Sequence, residues 1–278
     1  MGTAVSTAVD RLRHTASLPN PVDAATMTAI IALVNDQQLT QMLPPLLDDI
    51  HGQVAEDHKD YEGPLCLLDV DCGTGHTTLT LASLTRHWRR PVQLEGWDLD
   101  QEKLEIAQAR CKDIRWEKNM NSSVTFARVN QWGRLQKGLP ISPYSRHGYD
   151  FVLSSLAMRS MPLDLFFRGI EGLLGRNDVA VVTCVHPDFA VAGPSSARSE
   201  DEKGVPREEV RLIHSVNDVL EAAAKFGLVI QRVVKEAKLS IEMVQRLGPG
   251  QREAAEEWVG RKVWFGVVLR RVVDGDGP

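Results

Sequence analysis

The first indication of the fold comes from LLDVDCGTGH, residues 67–76. A short apolar run over 65–70 is typical of a buried strand in a parallel sheet. It passes into a turn with Gly73 and Gly75, which can take up positive φ and let a ligand approach the backbone closely. A helix predicted from about His76 offers free N–H groups and a partial positive charge at its start. The segment therefore predicts a strand–turn–helix unit that can cradle either a pyrophosphate or an amino-acid carboxylate.

Two details separate these ligands. A dinucleotide turn reads G-x-G-x-x-G, whereas Gly75 is followed by His76, Thr77 and Thr78 with no third glycine. Asp69 lies inside the strand end, where a carboxylate repels a pyrophosphate and attracts a cationic ligand. An NAD-dependent dehydrogenase is therefore the least favoured interpretation.

The next predicted strand, 92–98, also ends in an acidic residue. Asp98 lies 23 residues after Gly75. An acidic residue at this place can accept hydrogen bonds from both ribose hydroxyls of a nucleoside. The alternative role for Asp98, capping the helix predicted over 101–112, is already suited to Asp100. The ribose interpretation is therefore favoured.

These features resemble motif I and the following strand of the class I S-adenosylmethionine-dependent methyltransferases. The family motif reads roughly (L/V)(L/I)D-x-G-C-G-T-G, and residues 68–75 follow it closely. Asp71 is the departure, because the family usually has glycine or another small residue there. Asp71 either hydrogen-bonds the ligand's ammonium or weakens the binding of its carboxylate. S-adenosylmethionine carries an ammonium and a sulfonium, so it suits the acidic surroundings.

The resemblance covers about residues 65–185 and implies a cofactor site at several strand ends. Asp98 would hold the ribose, and Leu99 would pack on the adenine. Asn130 stands where the family often has aspartate, and its amide oxygen can accept from the adenine amino group. Residues 149–158 resemble the strand that ends beside the reactive methyl. The predicted cofactor-binding residues are Asp69, Asp71, Gly73, Gly75, Asp98, Leu99, Asn130, Gln131, Ser154 and Ser155.

Catalysis by the side chains is less clearly indicated. Methyl transfer needs mainly alignment of nucleophile and methyl and exclusion of water, so a general base is optional. Two histidines are candidate catalytic bases, His186 after the fifth predicted strand and His214 before a late helix. We prefer His214 for its Ile-His-Ser-Val setting. Each histidine could instead cap a strand or helix end.

The alternation of strands and helices predicts an α/β fold, a Rossmann-like seven-stranded mostly parallel sheet with helices on both faces, plus an N-terminal helical cap. We expect the cap over 1–60 and the S-adenosylmethionine-binding domain over 61–278. Residues 188–210, rich in Ser, Glu, Lys, Gly and Pro, predict a mobile lid loop. Within the cap, Pro44 and Pro45 should break the helical pattern or start a new helix.

Composition argues against several classes. The formal net charge is −5, and no [D/N/S]-P-P-[Y/F/W] tetrapeptide follows the fourth strand, so a nucleic-acid substrate is not indicated. The four cysteines, in no CxxC pair and with no histidine at ligand spacing, predict neither a metal site nor a disulfide framework. No apolar run could span a bilayer and no signal segment is evident, which predicts a cytoplasmic protein without a membrane partner.

The leading hypothesis is transfer of a methyl group from S-adenosyl-L-methionine to an O, N or S atom of a small, natural-product-like molecule. A methyltransferase-fold protein that catalyses a non-transfer reaction, such as a cyclisation, is the first alternative. A non-enzymatic regulator that binds a partner protein is the second. The sequence leaves the acceptor and the oligomeric state open.

Overall fold

The computed structural model describes residues 22–57, 63–117, 121–129, 148–191, 196–200, 206–210 and 212–272. The strands are β1 (Leu65–Val70), β2 (Val92–Asp98), β3 (Ser123–Arg128), β4 (Tyr149–Ser155), β5 (Leu174–Val185), β6 (Ser196–Glu200), β7 (Pro206–Val210), β8 (Leu228–Lys238) and β9 (Lys262–Arg271). The helices are α1 (Ala24–Asp57), α2 (His76–Thr85), α3 (Gln101–Cys111), α4 (Leu163–Leu173), α5 (Pro187–Ala190), α6 (Val216–Ala224), α7 (Ile241–Gln245) and α8 (Pro249–Glu256). A 3₁₀ turn, Ala157–Ser160, follows β4.

Seven of these strands form one sheet in the order β3-β2-β1-β4-β5-β9-β8. β1 pairs in parallel with β2 and β4, and parallel pairing continues outward to β3 and β5. β9 is antiparallel to both of its neighbours. The predicted seven-stranded, mostly parallel sheet is confirmed. Because the strand order reverses between β1 and β4, their carboxyl ends flank the crevice where open α/β sheets bind ligands.

Alternate side chains of the strands fill two apolar cores, one on each face of the sheet. The first core contains Leu67 and Phe151 and is covered by α1, α2, α7 and α8. The second contains Leu68 and Val152 and is covered by α4 and α6. Burial on both faces explains why these strands have nearly continuous apolar sequences.

The helix α1 is continuous over 34 residues and contains Pro44 and Pro45, so the expected break does not occur. Leu43, Leu46 and Leu47 beside the prolines are almost completely buried in the first core. Burial of each leucine contributes about 1.5–3 kcal/mol, which is comparable to the cost of about 3 kcal/mol for a proline inside a helix. Tertiary packing therefore outweighs the local signal. The division into a cap and a main domain stays a prediction.

The composition of segment 188–210 predicts a loop, but the structure places regular secondary structure within it. α5 ends within it, and β6 and β7 pair as an antiparallel hairpin from Ser196↔Val210 to Glu200↔Pro206. The loop prediction is wrong for these ten residues. Pairing within a hairpin satisfies the hydrogen bonds of backbone groups locally, and amino-acid composition alone does not predict such pairing. The role of this segment as a lid stays a prediction.

Gly75 marks a place where α2 and α3 approach closely, and this generates a prediction. Its φ is 76°, and a Cβ built there would lie 2.7 Å from the Cβ and 2.9 Å from the Cα of Ala107. We expect Gly75→Ala to lower the free energy of unfolding by about 1–3 kcal/mol, the usual cost of overpacking, measured by chemical denaturation.

Gly250→Ala is the matched control. Gly250 lies in α8 with no atom within 4 Å of a built Cβ. Alanine restricts the unfolded chain, so this variant should be unchanged or up to about 1 kcal/mol more stable. Equal stability of Gly75→Ala and the wild type would contradict the close packing of α2 on α3.

Candidate cofactor and acceptor site

The glycine turn, residues 71–75, leaves the carboxyl end of β1 through left-handed backbone conformations. Asp71, Gly73 and Gly75 have φ values of 61°, 55° and 76°. Glycine adopts this region without steric cost, and aspartate tolerates it better than most residues. Asp71 can therefore take the place of glycine in the resembled motif. It adds an exposed carboxylate to the turn.

Two charged side chains from the β2–α3 unit hold the glycine turn. Asp98 accepts a hydrogen bond from the Gly73 N–H through Oδ2, at 2.8 Å. Arg110 donates from Nη1 to the carbonyl oxygen of Thr74 at 2.8 Å and to its hydroxyl oxygen at 3.0 Å. Hydrogen bonds to ionised groups are stronger than neutral ones. The shape of the turn therefore depends on β2 and α3 as well as on its own glycines.

Asp69 is fully buried at the end of β1. Its Oδ2 accepts hydrogen bonds from the hydroxyls of Thr77 and Thr78, both at 2.6 Å. Its Oδ1 is buried and has no hydrogen-bond partner among the described residues. Burial, with help from the negative charges of Asp71 and Asp98, raises the pKa of Asp69 to about 6. A ligand with a cationic N–H donor would satisfy the unpartnered oxygen and favour the ionised carboxylate.

The carboxylate of Asp98 is buried and makes a second backbone contact. Its Oδ1 accepts from the N–H of Asp100 at 2.8 Å. Asp100 caps α3 by accepting from the N–H groups of Glu102 and Lys103, as expected. A carboxylate offers about four lone-pair sites, so Asp98 retains capacity to accept from ribose hydroxyls. Leu99 is 47% exposed beside it and leaves an apolar surface for an adenine ring.

The two serines predicted at the end of β4 differ in their surroundings. Ser154 is fully buried, and its hydroxyl has no hydrogen-bond partner among the described residues. Ser155 is half-buried and accepts a hydrogen bond from the Asn35 side chain of α1 at 3.0 Å. Asn130 and Gln131, the other predicted cofactor residues, lie outside the described part of the chain.

His186 is buried at the carboxyl end of β5 with both ring nitrogens engaged. Its Nε2 lies 3.1 Å from Oε1 of Glu236, and its Nδ1 accepts from the N–H of Asp188 at 3.3 Å. Glu236 also pairs with Lys262 at 2.6 Å. In the neutral tautomer that satisfies both contacts, Nε2 donates and Nδ1 accepts. His186 therefore caps α5 and joins β5 to β8, with both ring nitrogens in contact with protein groups.

His214 is half-buried in the segment before α6. Its Nε2 lies 3.1 Å from the carbonyl oxygen of Met158, so this nitrogen must donate. Burial is the largest influence on the pKa of His214 and lowers it from its ordinary value, although hydrogen bonds to the carbonyls of Met158 and Met161 oppose this shift. The arrangement ties residue 214 to the 3₁₀ turn after β4.

Two residues of α1 also reach the carboxyl edge of the sheet, and neither is predicted as a site residue from the sequence. Asn35 contacts β4, β5 and β9 through its amide. Asp36 pairs with His76, the first residue of α2, at 2.8 Å. No motif marks these positions, since an Asn-Asp pair in a helix acquires this role only through packing against distant strands.

Among the described residues, no three His, Cys, Asp or Glu side chains are grouped so that they could hold a metal ion. None of the described helices combines the length and apolarity that a membrane span requires.

Comparison with known proteins supports the resemblance. The chain is 29% identical over 217 residues to an uncharacterized methyltransferase of Emericella nidulans, which corresponds to 74% of this chain and 71% of the relative. No protein-family model matches the chain.

Two solved structures have similar folds. An S-adenosylmethionine-dependent methyltransferase from Mesorhizobium loti has a TM-score of 0.51 and 19% identity, over 75% of this chain and 92% of that chain. A methyltransferase of the same cofactor class from Methanosarcina mazei has a TM-score of 0.51 and 11% identity, over 78% of this chain and 97% of that chain. These structures support the fold assignment. Motif I, the sheet order and the sequence relative together support assignment of the chain to the class I S-adenosylmethionine-dependent methyltransferases, enzymes whose cofactor is S-adenosylmethionine.

Proposed function

We propose that this protein transfers the methyl group of S-adenosylmethionine to a small-molecule acceptor. The observation that carries the proposal is the buried Asp69 carboxylate beside the glycine turn, one oxygen of which has no hydrogen-bond partner in the described part of the chain. A buried polar atom without a partner is costly, so this place is suited to a ligand that brings a cationic donor. The ammonium of S-adenosylmethionine is such a donor.

The residues around Asp69 fit the rest of the cofactor. Asp98 has capacity to accept from ribose hydroxyls, and Leu99 offers an exposed apolar face for adenine. The free N–H groups at the start of α2 suit the carboxylate of the amino-acid part. When bound, the cofactor supplies a methyl group already activated by the sulfonium. The chain's own contribution is to orient the two reactants and exclude water.

The acceptor would bind beyond the carboxyl ends of β4 and β5. Both ends of the insertion that carries the β6–β7 hairpin are anchored there. On one side, the buried Phe189 of α5 packs against Trp258 with ring centroids 4.8 Å apart. On the other side, the Leu212 N–H donates to the carbonyl of Arg159 in the 3₁₀ turn at 2.9 Å. This insertion is our candidate lid over the acceptor.

The direct test combines binding and transfer. Titration calorimetry with S-adenosylmethionine and with its demethylated product measures cofactor binding. Mass spectrometry then follows candidate hydroxyl, amine and thiol acceptors for the gain of one methyl group. Cofactor binding together with a methylated product supports the proposal. Binding without transfer to any acceptor would favour a non-transfer reaction or a regulatory role, and absence of binding would refute the cofactor site.

The first prediction concerns the ribose contact. Asp98→Ala should weaken S-adenosylmethionine binding by about 1–3 kcal/mol, the scale of a lost buried hydrogen-bond partner, measured by calorimetry. Asp164→Ala is the control. Asp164 is an exposed carboxylate in the first turn of α4, and it pairs with Lys225. Unchanged affinity in Asp98→Ala would remove Asp98 from the site.

The second prediction concerns pH. The pKa of Asp69 is raised to about 6 in the free protein, and a cationic ligand lowers it because the ligand favours the ionised form. Binding therefore releases a proton below that pKa. Affinity for S-adenosylmethionine should rise with pH, by up to about tenfold per unit, and level off above about pH 7.

Asp69→Asn should bind more weakly and lose this pH dependence. Asp178→Asn is the control, since burial also raises the pKa of Asp178, to about 8. Asp178 directly precedes the Val179–Thr183 stretch of β5 that pairs with β4, and so it lies away from the carboxyl ends of these strands. The affinity of Asp178→Asn for S-adenosylmethionine should depend on pH as that of the wild type does, up to about pH 7. If the affinity of the wild type for S-adenosylmethionine does not change from about pH 5 to pH 8, Asp69 does not interact with the ligand.

The third prediction concerns the candidate bases. The methyl group is already activated by the sulfonium, burial lowers the pKa of His214, and both nitrogens of His186 contact protein groups, so we expect alignment to dominate the transfer. With an acceptor identified as above, His214→Gln should lower kcat by less than about tenfold. A general base would lose about 10²–10⁴-fold. A loss of that size, with cofactor affinity unchanged, would restore His214 as the base.

A further inference from the structure

A buried amide joins α1 to three strands at the carboxyl edge of the sheet. Asn35 is 7% exposed. Its Oδ1 accepts from Nε1 of Trp264 in β9 at 2.9 Å and from Oγ1 of Thr183 in β5 at 3.0 Å. Its Nδ2 donates to Oγ of Ser155 in β4 at 3.0 Å. One side chain therefore contacts the ends of β4 and β5 and the start of β9.

The orientation of this amide follows from its partners. An indole N–H can only donate, so the oxygen of Asn35 must face Trp264. The nitrogen is then left to face Ser155, whose hydroxyl oxygen must accept. The hydrogen of the Ser155 hydroxyl consequently points away from Asn35. Asn35 thus selects the direction in which Ser155 can donate.

The same amide supports an unusual turn directly after β4. Leu156 has a φ of 66°, a left-handed conformation that branched aliphatic residues adopt at a cost. Its N–H is held by Thr183, through the carbonyl at 3.1 Å and the hydroxyl oxygen at 3.2 Å. Because the Thr183 hydroxyl donates to Asn35, its lone pairs are directed toward Leu156.

The turn begun at Leu156 carries the acceptor-side segment, defined as residues 155–161. Within it, the carbonyl of Met158 accepts from His214 and the carbonyl of Arg159 accepts from the N–H of Leu212. The segment that follows the β6–β7 hairpin is therefore positioned on this turn.

We propose that Asn35 is a positioning residue for methyl transfer, which fixes the acceptor-side segment through Ser155 and Thr183 without touching the acceptor. The role on the acceptor rests on the proposed function. Docking of α1 alone does not require an amide, since α1 already buries apolar side chains such as Ile31, Val34 and Leu39 in the first core. A satisfied polar network in a core specifies one arrangement where apolar contacts would permit several.

Amide hydrogen exchange of the ligand-free protein provides the test. In Asn35→Leu, the indole, Thr183 and Ser155 lose their common partner. We expect exchange in peptides covering 155–161 and 212–215 to accelerate by tenfold or more, while peptides of α2 and α3 and the affinity for the demethylated cofactor stay within twofold. Gln38→Leu is the matched control, because Gln38 is an amide of the same helix with 8% exposure and makes no hydrogen bond to β4, β5 or β9 among the described residues.

Asn35→Asp separates positioning from simple docking. A protonated aspartic acid has the shape of asparagine, with an oxygen that accepts from Trp264 and a hydroxyl that donates to Ser155. The ionised form can only accept. Relative to the wild type at the same pH, this variant should protect residues 155–161 normally at about pH 5 and lose that protection at about pH 8. It also tests the proposal if Asn35→Leu fails to fold.

The proposal would be overturned if amide exchange accelerates uniformly across α1 in Asn35→Leu and Asn35→Asp, with no local effect at 155–161 and no recovery at low pH. Asn35 would then only help to dock α1 on the sheet. Unchanged exchange in both variants would also overturn the proposal. If the wild type does not bind the cofactor, the proposed function is wrong. The exchange experiment, which uses the ligand-free protein, would still show whether Asn35 fixes residues 155–161.

Discussion

The two carboxylate oxygens of Asp98 accept from the N–H groups of Gly73 and Asp100, and this links the glycine turn to the start of α3. The same turn is held from α3 by Arg110 and packs through Gly75 against Ala107. These contacts allow three left-handed positions, Asp71, Gly73 and Gly75, to persist within five residues at the end of β1. Together with the hydrogen bonds from Thr77 and Thr78 to Asp69, they fix the start of α2 relative to the carboxylate of Asp69.

Acidic groups are concentrated around this turn, and they include the buried carboxylate of Asp69. Burial, with a smaller contribution from the charges of Asp71 and Asp98, raises the pKa of Asp69, whose second oxygen lacks a partner among the described residues. In a folded protein such an arrangement lowers stability. It is accounted for if a cationic ligand completes the site, because the ligand then gains the interaction that the protein alone leaves unmade.

The N-terminal helix α1 serves both the fold and the site. Its apolar side chains share the first core with β1, β4 and β5. Its polar residues Asn35 and Asp36 meet β4 and α2 at the edge where the ligands would bind. Within α1, Asp36 therefore contacts the cofactor side through His76 and Asn35 contacts the acceptor side through Ser155 and Thr183.

The positions of the glycine turn, Asp69 and Asp98 at strand ends could be predicted from the sequence because their determinants are local. The glycine turn, Asp69 and Asp98 lie at strand ends whose positions follow from hydrophobic patterning and short turns, and Asp100 was recognisable as a helix cap. The acceptor side depends on contacts between residues far apart in the chain, such as Asn35 with Thr183 and Trp264. Local patterns also misjudged Pro44 and Pro45, because the burial of neighbouring leucines in a shared core outweighs helix propensity. Local chemistry therefore indicated the family and its cofactor, whereas long-range packing decided which polar groups are free to act and which are already engaged.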